Sequence, residues 1–233
     1  MSTIPATIQT HHFESTESPA LTAGEIHLWQ SQLDEATPAR EMAALSRRIL
    51  LDLLRHYSGE KISPTIRYGE HGKPHVEEAH FPYFNLSHSG HCIVLAFSRD
   101  NELGVDVECT AARRRRSPLE LARRFFAAKE SNALGLLDEN AAGVAFTHLW
   151  TVKEAVLKAL GHGLSFGLDR LQFALGEDGV PLSLESIAVE AGAPEEWQIH
   201  RFAPTLDHVG CLAWRGPPRP IRTFLLQVPE AQD

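Results

Sequence analysis

Residues 103–108, Leu-Gly-Val-Asp-Val-Glu, alternate apolar and acidic side chains, the two-residue period of a β-strand with unlike faces. Val105 and Val107 then point one way and Asp106 and Glu108 the other. Any fold that contains this strand must bury one face and place two carboxylates in a common space on the other. Like charges that close repel, and a hard divalent cation with oxygen ligands, such as magnesium, is the usual way to hold both ionised. Taken alone, the segment reads more commonly as an antiparallel strand with a solvated acidic face.

A second segment changes that balance. In Trp150-Thr-Val-Lys-Glu-Ala-Val-Leu-Lys158, Trp150, Glu154 and Lys158 share one helix face at successive turns. A Glu and Lys at that spacing are usually a surface ion pair. Together with the strand, however, Asp106, Glu108 and Glu154 can form a three-carboxylate magnesium site, with Lys158 in reach of any phosphate the metal binds. Gly72-Lys73-Pro74 adds a lysine on a stiffened loop, and Asn85-Leu-Ser87-His88-Ser-Gly90 adds hydroxyls, an imidazole and backbone amides at a strand end. Both suit an anion, although the glycine spacings of a Walker loop or dinucleotide fingerprint are absent. His88 also reads as a turn histidine bonded to backbone.

Periodicity predicts a helix over 38–57, from Met42, Leu45, Ile49, Leu53 and Tyr57, opened by Thr37-Pro38 and stopped by Gly59. Short strands are expected at 65–68 and 83–86, and a hairpin joining 92–97 to 103–107 through Ser98-Arg-Asp-Asn101. Ser117-Pro-Leu-Glu120 reads as a capped helix start, with helical character to about 137 and a break near Phe126. A further helix runs from about Thr147 to Gly161. Strands follow at 171–175, 187–190, 197–202, 211–214 and 221–228. Helix-then-strands occurs twice, so the expected class is α+β, in two similar halves meeting near residue 108.

The formal net charge of −8 over 233 residues argues against a nucleic-acid binder, which depends on Lys and Arg to displace phosphate counterions. Arg113 to Arg116 stand out as a basic island. Three cysteines without CxxC spacing, Cys92, Cys109 and Cys211, give no disulfide or zinc pattern and fit a reducing, cytoplasmic compartment. No stretch reads as a signal peptide or membrane span.

In order along the chain, GKP at Gly72, FNLSHSG at Phe84, GVDVE at Gly104, RRFFAAKE at Arg123 and LWTVKEAVLKALGHGL at Leu149 resemble the Sfp-like 4′-phosphopantetheinyl transferases. The resemblance spans about residues 66–168. It implies a monomer of two α+β halves related by a pseudo-twofold, divided as 1–107 (coenzyme A nucleotide binding) and 108–233 (metal helix and carrier-protein docking). The implied reaction moves the phosphopantetheine of coenzyme A to a serine of an apo acyl or peptidyl carrier protein, with Mg2+ or Mn2+.

By position, Asp106, Glu108 and Glu154 match the family's metal ligands, and Lys73, Ser87, His88 and Lys158 match phosphate or nucleotide contacts. Lys153 is expected near the nucleotide as well, and Glu130 matches the acidic end of the RFF motif. A basic residue from the first helix is expected, with Arg40, Arg47 and Arg48 available and Arg47 preferred. The N-terminal lysines that some members use have no counterpart, because no lysine precedes Lys61. Carrier docking is expected along Arg113 to Phe126, where a basic surface would attract an acidic partner, with at least one of Phe125 and Phe126 in the core. A magnesium-dependent nuclease or phosphohydrolase is the alternative reading of the same donors.

Overall fold

The computed structural model describes residues 8–9, 19–33, 39–59, 64–111 and 116–226. Strand β2 (Ile26–Gln32) lies in a five-stranded sheet with β1 (Ile8–Gln9), β5 (Tyr83–Ser89), β6 (Cys92–Ser98) and β12 (Ile221–Leu225), in the order β1-β12-β2-β6-β5. The remaining strands are β3 (Arg67–Tyr68) with β4 (Pro74–His75), β7 (Leu103–Cys109), β8 (Leu171–Leu175) with β9 (Pro181–Ile187), β10 (Trp197–Thr205) and β11 (His208–Arg215). Helices α1 (Ala39–Ser58), α2 (Pro118–Phe125), α3 (Ala128–Leu134) and α4 (Glu139–Leu160) complete the α+β architecture.

Side-chain alternation sorts these elements into layers. Met42, Leu50, Leu53 and Leu54 of α1 pack on Trp29, Ile93, Leu95 and Phe97, one face of the five-stranded sheet. The opposite face, Ile26, Leu28, Val94 and Ala96, meets Val105, Val107, Leu212 and Trp214 of a second sheet ordered β10-β11-β7. The outer face of that second sheet, through Cys211 and Ala213, packs on α4. Burying Val105 and Val107 completely contributes about 1.5–3 kcal/mol each and commits the alternate residues of β7, Gly104, Asp106 and Glu108, to the side facing α4.

Gly104 permits that close approach. A Cβ there would lie 2.1 Å from Ala155 O and 2.3 Å from Ala159 N on α4, so only glycine lets the strand rest on the helix backbone. The helix ends as expected at Gly161, whose φ of 77° and N–H bond to Leu157 O form a left-handed cap.

Several expectations need correction. Residues 98–101 do not close a hairpin, because β6 pairs with β2 and β5 while β7 pairs with β11; the turn carries the chain from one sheet to the other. Strand β5 continues through Ser87, His88 and Ser89. Helix α4 begins at Glu139 rather than near Thr147, because Asp138 caps it by accepting from Ala141 N at 2.9 Å. Ser117 makes no side-chain cap bond. Residues 189–191 form a 3-10 turn, and β9 was not foreseen.

Strand β7 lies in the sheet of β10 and β11, and β12 returns to run parallel to β2. The Thr37-Pro38 helix start lies outside the described residues. Among the described residues, no helix is long and apolar enough to cross a membrane.

Candidate active site

Strand β5 runs beside β7 with polar side chains bridging the two. Asn85 Oδ1 accepts from Val105 N at 2.9 Å, Ser87 Oγ donates to Asp106 Oδ1 at 2.8 Å, and Ser89 Oγ donates to Glu108 Oε2 at 3.1 Å. These bonds replace a backbone ladder along the seam between the sheets. Their signal in the sequence is the strand's period of polar residues at 85, 87 and 89.

Helix α4 closes the other side. Lys158 Nζ donates to Asp106 Oδ1 at 2.7 Å and to Val105 O at 3.2 Å, and lies 2.9 Å from Ser87 Oγ. Asp106 is 4% exposed, and its second oxygen, Oδ2, is buried with no hydrogen-bond partner among the described residues. Burial, reinforced by the negative charges of Asp106 and Glu108, pushes the Glu154 carboxyl up to about 7 against the opposing pull of Lys158.

Asp106, Glu108, Glu154, Lys158 and Ser87 are therefore brought together. The three carboxylates sense one another, but their oxygens do not all approach within 4.8 Å, a spacing met among the described residues by Cys109, Asp207 and His208. The orphaned, buried Oδ2 of Asp106 and the raised Glu154 carboxyl both mark a site that a hard divalent cation would satisfy, and an all-oxygen donor set suits magnesium. Next to them His88 reaches solvent, and partial burial and the Lys158 charge hold its imidazole below the ordinary range.

Lys73 reaches the C-terminal end of α4. Its ammonium donates to Ala159 O at 3.2 Å and Leu103 O at 3.3 Å, and pairs with the Glu102 carboxylate. A cation on helix-end carbonyls is favoured by the helix dipole. Lys73 also borders a cavity of about 370 Å³ lined by Pro74, His75, Phe81, Tyr83 and Arg99. Arg47 Nη1 donates to Tyr68 OH at 3.0 Å, on the strand that pairs with Pro74. The side chain of Arg40 lies outside the described residues.

Lys153 does not join this group. It is 0% exposed and ion-pairs with Glu130 at 2.7 Å, donating also to the carbonyls of Leu168 and Leu171. Glu130 in turn accepts from Phe173 N at 2.8 Å and Ala127 N at 3.0 Å. The pair ties α3, α4 and β8 together inside the C-terminal core. One residue from Glu154 is about 100° around the helix, which turns Lys153 away from the carboxylates and into the buried pair with Glu130.

On the basic segment, Arg113, Arg114 and Arg115 lie outside the described residues, while Arg116, Arg123 and Arg124 are exposed. The Arg124 guanidinium lies 5.0 Å from the Phe125 ring centroid. Phe126 is buried and stacks on Phe146 at 5.1 Å, so one of the two aromatics is core, as anticipated.

Comparison with known proteins agrees with the layout of these elements. Residues 102–209, from the start of β7 to the start of β11, match the family model of the 4′-phosphopantetheinyl transferase superfamily. The chain is 31% identical over 184 residues to the 4′-phosphopantetheinyl transferase HetI of Nostoc sp., covering 66% of this chain and 76% of that protein. It is 35% identical over 125 residues to the 4′-phosphopantetheinyl transferase Sfp of Bacillus subtilis, covering 54% of each. A third relative, the L-aminoadipate-semialdehyde dehydrogenase-phosphopantetheinyl transferase of Pongo abelii, is 31% identical over 163 residues, 63% of this chain and 52% of that protein. The match thus spans about half the length of several of these relatives. The chain belongs to the 4′-phosphopantetheinyl transferase superfamily.

Proposed function

We infer that this protein transfers the 4′-phosphopantetheine group of coenzyme A to a serine hydroxyl of an apo acyl or peptidyl carrier protein, releasing 3′,5′-bisphosphoadenosine. The observation that carries the reading is the meeting of Asp106 and Glu108 on β7 with Glu154 and Lys158 on α4, around a buried carboxylate oxygen that lacks a partner among the described residues. The pseudo-twofold belongs to the same reading: α1 covers one sheet and α4 the other, with the substrate cleft along the β5–β7 seam.

Asp106, Glu108 and Glu154 would hold magnesium, which when bound neutralises charge on the diphosphate and on the leaving group. The chain's own residues do the remainder. Lys158 would present its positive charge to a phosphate oxygen. Ser87 and His88 orient the nucleotide phosphates, and Lys73 and Arg47 border the adjacent cavity. Glu154 would accept the serine proton as the oxygen–phosphorus bond forms and the bond to bisphosphoadenosine breaks. Arg116, Arg123 and Arg124 offer a basic face to an acidic carrier.

The test is direct incubation with coenzyme A, Mg2+ and a panel of apo carriers, followed by intact-mass measurement. A mass gain of one phosphopantetheine on the serine supports the reading. Cleavage of nucleic acid with no carrier modification would replace it with a hydrolase.

A further inference from the structure

A second donor cluster lies at the end of β7. Cys109 closes that strand and pairs in register with His208, the first residue of β11; residues opposed across an antiparallel pair project to the same side. Asp207 occupies the turn before β11, and a bond from Thr110 N to Asp207 O at 2.8 Å holds that turn over the strand end. The Cys109 sulfur, a carboxylate oxygen of Asp207 and a ring nitrogen of His208 all lie within 4.8 Å of one another.

Hydrogen bonding sets how His208 faces its neighbours. Nε2 lies 3.0 Å from Ser89 O. A carbonyl can only accept, so Nε2 carries a proton, which leaves Nδ1 to face the Asp207 carboxylate. Nδ1 stands 3.0 Å from Asp207 Oδ1, and Thr205 Oγ1 is 2.6 Å from that oxygen and 2.8 Å from Nδ1. Nδ1 and a carboxylate oxygen therefore face each other in a cluster with a thiol, an arrangement completed either by a proton on Nδ1 or by a cation. Metal-bound histidines characteristically donate their other N–H to a backbone carbonyl or carboxylate, the bond that His208 makes to Ser89.

We propose that Cys109, Asp207 and His208 bind a first-row transition-metal ion of the zinc type, at a site separate from the three carboxylates. Thiolate sulfur, imidazole nitrogen and carboxylate oxygen are zinc's donors, at about 2.0–2.3 Å, whereas magnesium takes oxygen ligands. The chain supplies three ligands, and the Asp207 side chain is 57% exposed, so a fourth position opens to solvent. His208 contacts the backbone of Ser89, whose hydroxyl is bonded to Glu108 and accepts from Cys109 N; an ion here stiffens the seam next to the carboxylate site.

Cobalt(II) titration in excess Mg2+ tests the proposal, because the magnesium occupies hard oxygen sites and a thiolate ligand to cobalt gives a near-ultraviolet charge-transfer band. The expected result is that band, saturating at one equivalent and displaced by Zn2+, absent in Cys109→Ser. Asp207→Asn, in an exposed turn, is expected to weaken cobalt binding by about tenfold or more and serves if the cysteine variant folds poorly. No charge-transfer band in the native protein, or a band that survives in folded Cys109→Ser, overturns it.

Discussion

Lys158 Nζ sits 2.7 Å from Asp106 Oδ1, joining the second long helix to the strand that carries the acidic pair. The lysine is the counterion of a carboxylate that is nearly buried, and it shares Ser87 with that carboxylate. Its charge therefore has two uses: it pairs with Asp106 in this structure, and on the proposed reading it would serve a phosphate oxygen once Asp106 is engaged by a cation.

Lys158→Met removes the second use while Mg2+ can still satisfy Asp106. The expected outcome is a loss of about 10²-fold or more in kcat, with Mg2+ affinity retained, measured by carrier modification rates and by calorimetry. Loss of Mg2+ binding with an unchanged transfer rate would contradict the assignment.

Glu154 makes the metal-free protein pH-sensitive. Its carboxyl is raised from 4.5 to about 7, so between those values the folded state holds more protons than the unfolded one, and stability falls as pH rises through the window. Mg2+ bound at the proposed site would compete with that proton, so its affinity should rise over the same range. Thermal melts of native protein and Glu154→Gln, with and without Mg2+, check this: the variant should lose both the Glu154 share of the slope and the pH-dependent gain from metal.

Gly104→Ala tests the spacing of strand and helix. The added carbon would meet Ala155 O at 2.1 Å, and backbone cannot yield as a flexible side chain can. Overpacking of this kind costs about 1–3 kcal/mol or more, and the shift of α4 should also weaken Mg2+ binding. Denaturant unfolding and calorimetry read the two effects; unchanged values for both would mean that the close approach positions nothing.

Lys153→Met should act on stability and not on coenzyme A. Removing one partner of a fully buried ion pair costs about 3–5 kcal/mol, while the Michaelis constant for coenzyme A stays unchanged in the folded fraction. Lys153→Met combined with Glu130→Gln should recover part of the loss. A selective rise in that Michaelis constant would return Lys153 to the nucleotide site.

The contrast between Lys153 and Glu154 shows what the sequence could carry. The alternation at 103–108 was legible because both faces of β7 are specified by their surroundings, Val105 and Val107 by the apolar space between the sheets and Asp106 and Glu108 by α4. Adjacent charges on a helix carry no such mark: which one turns to the core depends on Glu130, twenty-odd residues away and in a different helix. The same limit explains β6 and β7. Ser98-Arg-Asp-Asn101 has the chemistry of a turn whether the next strand pairs with its predecessor or leaves for another sheet, and the partner that decides, β11, begins only at His208. Asn85, Ser87 and Ser89 had a readable period, but their bridging role depends on β7 lying alongside. Gly104 was visible only as one letter of a motif until the backbone of α4 lay against it.

The most direct measurement is the intact mass of an apo carrier protein after incubation with coenzyme A, Mg2+ and either the native protein or purified, folded Asp106→Ala and Glu154→Ala. The account predicts a gain of one phosphopantetheine per carrier with the native protein and none with either variant. Full modification by either variant would contradict it.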